Sequence, residues 1–186
     1  DPEGPVFENA SSLDADENQT DIGSVSAVDP FGSAVTYSIS GTDAESIDLD
    51  TSSGLLTFKS APDYETKTSY TVLITAVGSI ANSDQELTIN INNLNDNEPV
   101  LAASATFSAD ENQTAIGSIV ATDADGDTLT YSVTGTELTL STSGVLSFTS
   151  APDYEETTSY TATVSVTDGL TSKDQSITVN VNNLND

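Results

Sequence analysis

Tyr160-Thr161-Ala162-Thr163-Val164-Ser165-Val166-Thr167 alternates apolar and hydroxyl side chains without a break. Period-2 alternation is the mark of a strand with one face buried and the other in water. The same pattern runs through Ile177, Val179 and Val181 against Thr178 and Asn180, and through Leu129, Tyr131 and Val133 against Thr130 and Ser132. No stretch sustains helical spacing. Adding Ala105 to Phe107, Ala115 to Ala121, Glu137 to Leu140 and Gly144 to Phe148 predicts about seven short strands, punctuated by Asp-Gly, Thr-Gly and Ser-Gly turns. Strands of that number and spacing predict an antiparallel, immunoglobulin-like Greek-key sandwich, all-β throughout. Tyr37, Tyr70, Tyr131 and Tyr160 fall on the apolar faces of their strands and read as core.

The first half of the chain repeats this unit. Asp16-Glu17-Asn18-Gln19-Thr20 recurs as Asp110-Glu111-Asn112-Gln113-Thr114, and Ser60-Ala61-Pro62-Asp63-Tyr64-Glu65 as Ser150-Ala151-Pro152-Asp153-Tyr154-Glu155. Asn92-Asn93-Leu94-Asn95-Asp96 recurs as Asn182-Asn183-Leu184-Asn185-Asp186. A fixed internal period signals repeated modules. The expected organisation is repeat 1 over 1–94, a linker over 95–99 closed by Pro99, and repeat 2 over 100–186, two seven-stranded sandwiches set end to end.

Composition narrows the function. Of 186 residues, 30 are acidic and only three basic, Lys59, Lys67 and Lys173, for a formal charge of −27. Nucleic acid is excluded as a partner, because phosphate binding needs clustered cations. With no His, Cys or Arg, most nucleophilic and general-base arrangements cannot be assembled, so the chain is not expected to be an enzyme. Without cysteine no disulfide can staple these small domains. No apolar run approaches the roughly 20 residues of a membrane helix and no signal peptide is present, which predicts a mature or excised segment.

Carboxylates concentrate in loops: Asp16-Glu17-Asn18 and Asp63-Tyr64-Glu65 in repeat 1, Asp123-Ala124-Asp125-Gly126-Asp127 and Asp168-Gly169 in repeat 2, and the linker itself. A hard cation such as Ca2+ takes six to eight oxygen ligands from such loops, and without one the clustered charges repel. Read alone, 123–127 also suits a solvated turn, since Asp and Gly are favoured there for backbone reasons. It is not an EF-hand, because Thr128 and Thr134 stand where that loop needs Gly and Glu. Three Asn-x-Ser/Thr sequons begin at Asn9, Asn18 and Asn112, a pattern common by chance in so Ser/Thr-rich a chain.

These motifs, taken in order, resemble the cadherin repeat, twice over. The resemblance implies three Ca2+ ions between successive repeats. It assigns Glu17, Asp63 and Glu65 from repeat 1, Asn95, Asp96 and the carbonyls of Leu94 and Asn97 from the linker, and Asp123, Asp125 and Asp168 from repeat 2. The seven carboxylates in that set nearly balance three divalent ions. Glu111, Asp153, Glu155, Asn185 and Asp186 would form a weaker half-site, as at a cut in a longer array. At the other end Asp29-Pro30-Phe31 replaces the Asp-x-Asp and Gly78 replaces the Asp168 equivalent, so that pole of repeat 1 is expected to bind calcium poorly or not at all.

The expected function is a calcium-dependent rigid extracellular spacer or cell-adhesion module, similar to the tandem repeats of bacterial surface adhesins. Its expected partners are neighbouring repeats and a cell-surface protein or glycan, at the cell surface or secreted. Animal cadherins that adhere by exchanging a Trp-bearing strand do not supply the mechanism, since this chain has no Trp. The alternative is a calcium-dependent polysaccharide-binding module. Such a site usually stacks an exposed aromatic on a sugar, and Phe31 is the sole candidate.

Overall fold

The computed structural model describes residues 3–102 and 104–185. The chain divides into two compact units, the cut falling between Leu94 and Asn95.

Unit 1 contains β1 (Val6–Phe7), β2 (Ser12–Asp16), β3 (Asp21–Ser24), β4 (Ala27–Val28), β5 (Thr36–Ser40), β6 (Ile47–Leu49), β7 (Leu55–Phe58), β8 (Ser69–Val77) and β9 (Asn82–Asn92). One 3-10 turn, Ala44–Ser46, precedes β6. The strands form a four-stranded sheet in the order β2-β9-β8-β5, a three-stranded sheet β3-β7-β6 and a short pair β1-β4. Unit 2 repeats the plan with β10 (Val100–Leu101), β11 (Thr106–Asp110), β12 (Ala115–Ser118), β13 (Ala121–Thr122), β14 (Thr130–Val133), β15 (Leu138–Leu140), β16 (Val145–Phe148), β17 (Ser159–Thr167) and β18 (Ser172–Asn182). Its sheets are β11-β18-β17-β14, β12-β16-β15 and β10-β13.

Each unit is the expected seven-stranded sandwich once β1 with β2, and β3 with β4, are read as single strands broken in the middle. In unit 2 the run 115–121 is therefore not one strand. A register shift between Ala115 and Gly117 bends it, and its continuation β13 pairs with β10 instead of β16. Gly144, at φ +85, donates no side chain to this corner, and a Cβ there would lie 2.4 Å from the Ile119 carbonyl oxygen. Gly54 plays the same part against Val25 O, at 2.2 Å.

The sandwich is not wholly antiparallel. β2 runs parallel to β9, from Ser12↔Thr88 to Asp16↔Asn92, and β11 runs parallel to β18, from Thr106↔Thr178 to Asp110↔Asn182. With seven strands, the first and last point the same way, so the chain enters a unit at one pole and leaves it at the other. β11 also extends to Asp110, beyond the segment 105–107 read from the pattern, because pairing with β18 carries it straight into the Asp-Glu-Asn motif.

Each core is the set of inward positions the alternation marks out. Leu56, Ile74, Ile89 and Phe58 are buried in unit 1, and Leu146, Val164, Val179 and Phe148 in unit 2. Phe58 meets Tyr70 at 4.9 Å between ring centroids, and Phe148 meets Tyr160 at 5.1 Å. Truncating Leu56 or Leu146 to Ala should cost about 2–5 kcal/mol, since neither has a solvent-exposed edge.

Candidate metal centre

At the end of β2 the chain turns at once. Asn18 adopts φ 62, a left-handed conformation that Asn tolerates, and its N–H donates to Pro62 O at 3.0 Å. That turn drives Glu17 inward until only 2% of it is exposed. A carboxylate that deep is costly unless hydrogen-bonded. Here Tyr64 N donates to Oε2 at 2.7 Å and Leu94 N donates to Oε1 at 2.8 Å, so Glu17 ties the 62–65 turn to the segment where the chain leaves the unit. The same turn holds Asp63 and Glu65, and the three residues bring carboxylate oxygens within 4.8 Å of one another.

Unit 2 rebuilds this set. Asn112 sits at φ 63, and Glu111 is 2% exposed. Its oxygens accept from Tyr154 N at 2.7 Å and Leu184 N at 2.7 Å. Glu111, Asp153 and Glu155 again converge within 4.8 Å. Asn185 belongs to the same exit segment; Asp186, the last member assigned there from sequence, lies outside the described residues.

The opposite pole of unit 2 carries a different group, Asp123, Asp125 and Asp127, with carboxylate oxygens within 4.8 Å. Gly126, at φ +80, closes the loop. Asp125 Oδ2 accepts from Asp96 N at 3.0 Å and Asn97 N at 2.8 Å, and its Oδ1 accepts from Asn97 Nδ2 at 2.8 Å. The linker is thus fastened to this loop. Asp168 accepts from Leu170 N, Thr171 N and Thr171 Oγ1 at 2.7, 2.6 and 2.7 Å. Burial works to raise its pKa, but these donors outweigh it and hold the carboxyl below the ordinary value. Asp127 is pushed the other way, by burial first and then by the charges of Asp123, Asp125 and Asp168.

Asp123 Oδ2 and Asn95 Oδ1 are buried atoms without a hydrogen-bond partner among the described residues. Both residues were singled out as ligands from sequence. Orphaned acceptors beside mutually repelling carboxylates fit a hard cation, which binds through oxygen alone. The chain's own cations do not fill the role. Lys59 pairs with Asp48, Lys67 with Asp43 and Lys173 with Glu98.

At the corresponding pole of unit 1, Asp29 occupies the place of Asp123 but is 3% exposed and fully engaged. Phe31 N donates to Oδ1 at 2.7 Å, while Ser79 N and Ser79 Oγ donate to Oδ2 at 2.8 and 3.0 Å. The Ser79 and Phe31 amides lower the Asp29 pKa against the opposing pull of burial. Gly78 makes the arrangement possible, since a Cβ there would stand 2.8 Å from Asp29 Oδ2. Asp127, quoted with the acidic loop but not assigned as a ligand from sequence, joins Asp123 and Asp125, and Ser79 is a participant whose role no pattern announces.

Comparison with known proteins gives three findings. The bacterial Ig domain family matches residues 95–182. Cadherin-99C of Drosophila melanogaster is 32% identical over 178 residues, 89% of this chain and 10% of that protein, so the chain spans about a tenth of this relative's length. Among solved structures, human protocadherin-24 EC1-2 superposes with a TM-score of 0.80 at 19% identity, covering 100% of both chains. Mouse cadherin-23 EC22-24 does so at 0.80 and 21% identity, covering 98% of this chain and 68% of that one. The two units share the immunoglobulin-type sandwich fold seen in tandem cadherin repeats. No helix among the described residues is long and apolar enough to cross a membrane.

Proposed function

We propose that this chain is an extracellular, calcium-dependent spacer and adhesion module, in which bound Ca2+ couples consecutive repeats. The observation that carries the reading is the gathering of carboxylates into sets of three within 4.8 Å while every lysine is paired elsewhere. Oxygen-only donor sets of this kind suit Ca2+. When bound, the ions would supply positive charge and a shared coordination shell. Glu17, Asp63 and Glu65 would contribute from unit 1, and Asn95, Asp96, Asp123, Asp125 and Asp168 from unit 2, with the carbonyls of Leu94 and Asn97. Within unit 1 Leu94 N donates a hydrogen bond to Glu17, and within unit 2 Asp96 N donates one to Asp125, so each proposed donor set is tied to its own stretch of chain.

About three ions are expected there. Weaker binding is expected at Glu111, Asp153 and Glu155, which would be completed by a following repeat. Adhesion by the parent protein, at a cell surface and in an array of such repeats, follows from the same reading.

Calorimetric titration of calcium into the chelator-stripped chain tests it directly. The expected result is about three sites in the range of roughly 10⁻⁴ to 10⁻³ M typical of extracellular modules. Asp96→Ala should remove more than one of them, while Asp29→Ala should remove none. Small-angle scattering adds the mechanical half of the claim, since flexibility insensitive to calcium would sink the coupling role.

A further inference from the structure

The parallel pairs β2–β9 and β11–β18 sit where tension along the chain would fall. β2 is the first long strand of unit 1 and β9 its last, and β11 and β18 stand in the same relation in unit 2. Because each pair is parallel, pulling the two ends of a unit drives its two strands in opposite directions along a common axis. Every hydrogen bond of the five-residue register is then loaded at once. An antiparallel pair pulled from adjacent ends instead opens one rung at a time.

Side chains reinforce these pairs. Asn90 Nδ2 donates to Asp14 Oδ1 and Asn92 Nδ2 donates to Asp16 Oδ1, each at 2.9 Å and each between residues directly opposite in the register. Unit 2 has the equivalent of the second rung, Asn182 Nδ2 donating to Asp110 Oδ1 at 2.9 Å. At the first rung Ser108 faces Asn180, a neutral hydroxyl in place of the carboxylate. Charge-assisted bonds are stronger than neutral ones.

We propose that these amide–carboxylate rungs and the parallel strands they join are load-bearing clamps, that the chain resists tension along its length, and that unit 1, with two charged rungs, is the stronger of the two. The clamp uses protein groups alone and therefore stands or falls apart from the calcium reading.

The experiment is single-molecule force spectroscopy on the full chain held at its ends, in calcium and in chelator. Two unfolding events at different forces are expected. Asn90→Ala with Asn92→Ala should accelerate the high-force event at fixed force by about fivefold per rung, and Asn182→Ala the low-force one by a similar factor. Asp48→Ala, an exposed change on β6 outside the clamp, should move neither. A second geometry uses no rung variant: with Glu156→Cys as one attachment point and the C-terminus as the other, β18 peels from β17, and unit 2 should yield at clearly lower force. Rung variants no different from Asp48→Ala, equal forces in the two geometries, or loss of the difference between units in chelator would each overturn the clamp.

Discussion

The pole of unit 1 around Asp29 and the pole of unit 2 around Asp123 occupy the same place in the fold and solve the same problem in opposite ways. In unit 1 one carboxylate turns inward and takes three protein donors, with Gly78 clearing room and Ser79 supplying two of the three. In unit 2 the loop carries three carboxylates, and Asp123 Oδ2 is left without a partner among the described residues. One pole is complete as folded protein; the other is chemically unfinished. The two poles differ both at the strand end, Gly78 against Asp168, and in the loop, where Asp29-Pro30-Phe31 stands against Asp123-Ala124-Asp125.

The comparison breaks most visibly on removal of calcium. If the ions bind only the folded form, each stabilises by about 0.4 kcal/mol at a concentration equal to Kd and by about 2.7 kcal/mol at a hundredfold excess. Scanning calorimetry in calcium and in chelator should therefore show unit 2 losing more than the Asp29 pole of unit 1, and three ions together should move the melting temperature by several degrees. Identical shifts for Asp29→Asn and Asp123→Asn in calcium would erase the distinction.

Glu17→Ala and Glu111→Ala come next. Each leaves two part-buried backbone amides without their acceptor, at a cost of about 1–3 kcal/mol, visible by chemical denaturation even without calcium. Equal denaturation midpoints for wild type and variants in chelator would show that these glutamates serve only the ions.

Gly78→Asp sharpens the contrast. By sequence alone it restores the residue that unit 2 has at Asp168. In the folded unit its Cβ would meet Asp29 Oδ2, Ala81 O and Pro5 Cγ at 2.8, 2.7 and 2.8 Å. The expected outcome is a less stable unit 1 with no additional calcium in a titration.

The smallest effect is in pH. Asp29 has a lowered pKa, so its contribution to stability is present above the ordinary aspartate value of about 3.9 and is lost as pH falls through its lower folded value. Asp127 has a raised pKa, so the folded state favours its protonated form. That contribution is present in acid and is lost as pH rises through its folded value, above about 3.9. In chelator, mild acidification should slightly stabilise unit 2 before stronger acid weakens unit 1. A monotonic loss of stability in unit 2 from neutral pH downward would contradict the crowding of Asp127.

Much of this was legible beforehand because sandwich strands write their burial into the sequence. Val164, Val166, Ile177 and Val179 are buried where alternation puts them. The broken strand at 115–122 was not legible, since the bulge and the change of partner strand leave the apolar spacing nearly intact. The parallel pairing of β2 with β9 was hidden for a related reason: alternation marks which face of a strand is buried and says nothing about its direction.

The sequence by itself determined the all-β class, the duplication and the acidic loops, because each is carried by residue type and short-range spacing. Only the tertiary structure decided what satisfies each carboxylate. Glu17 reaches Leu94, 77 positions away, and Asp29 reaches Ser79, 50 positions away. Hydrogen bonding acts over about 3 Å in space, whatever the separation along the chain. Folding therefore makes one aspartate a finished structural group and leaves its counterpart with a carboxylate oxygen unpartnered among the described residues.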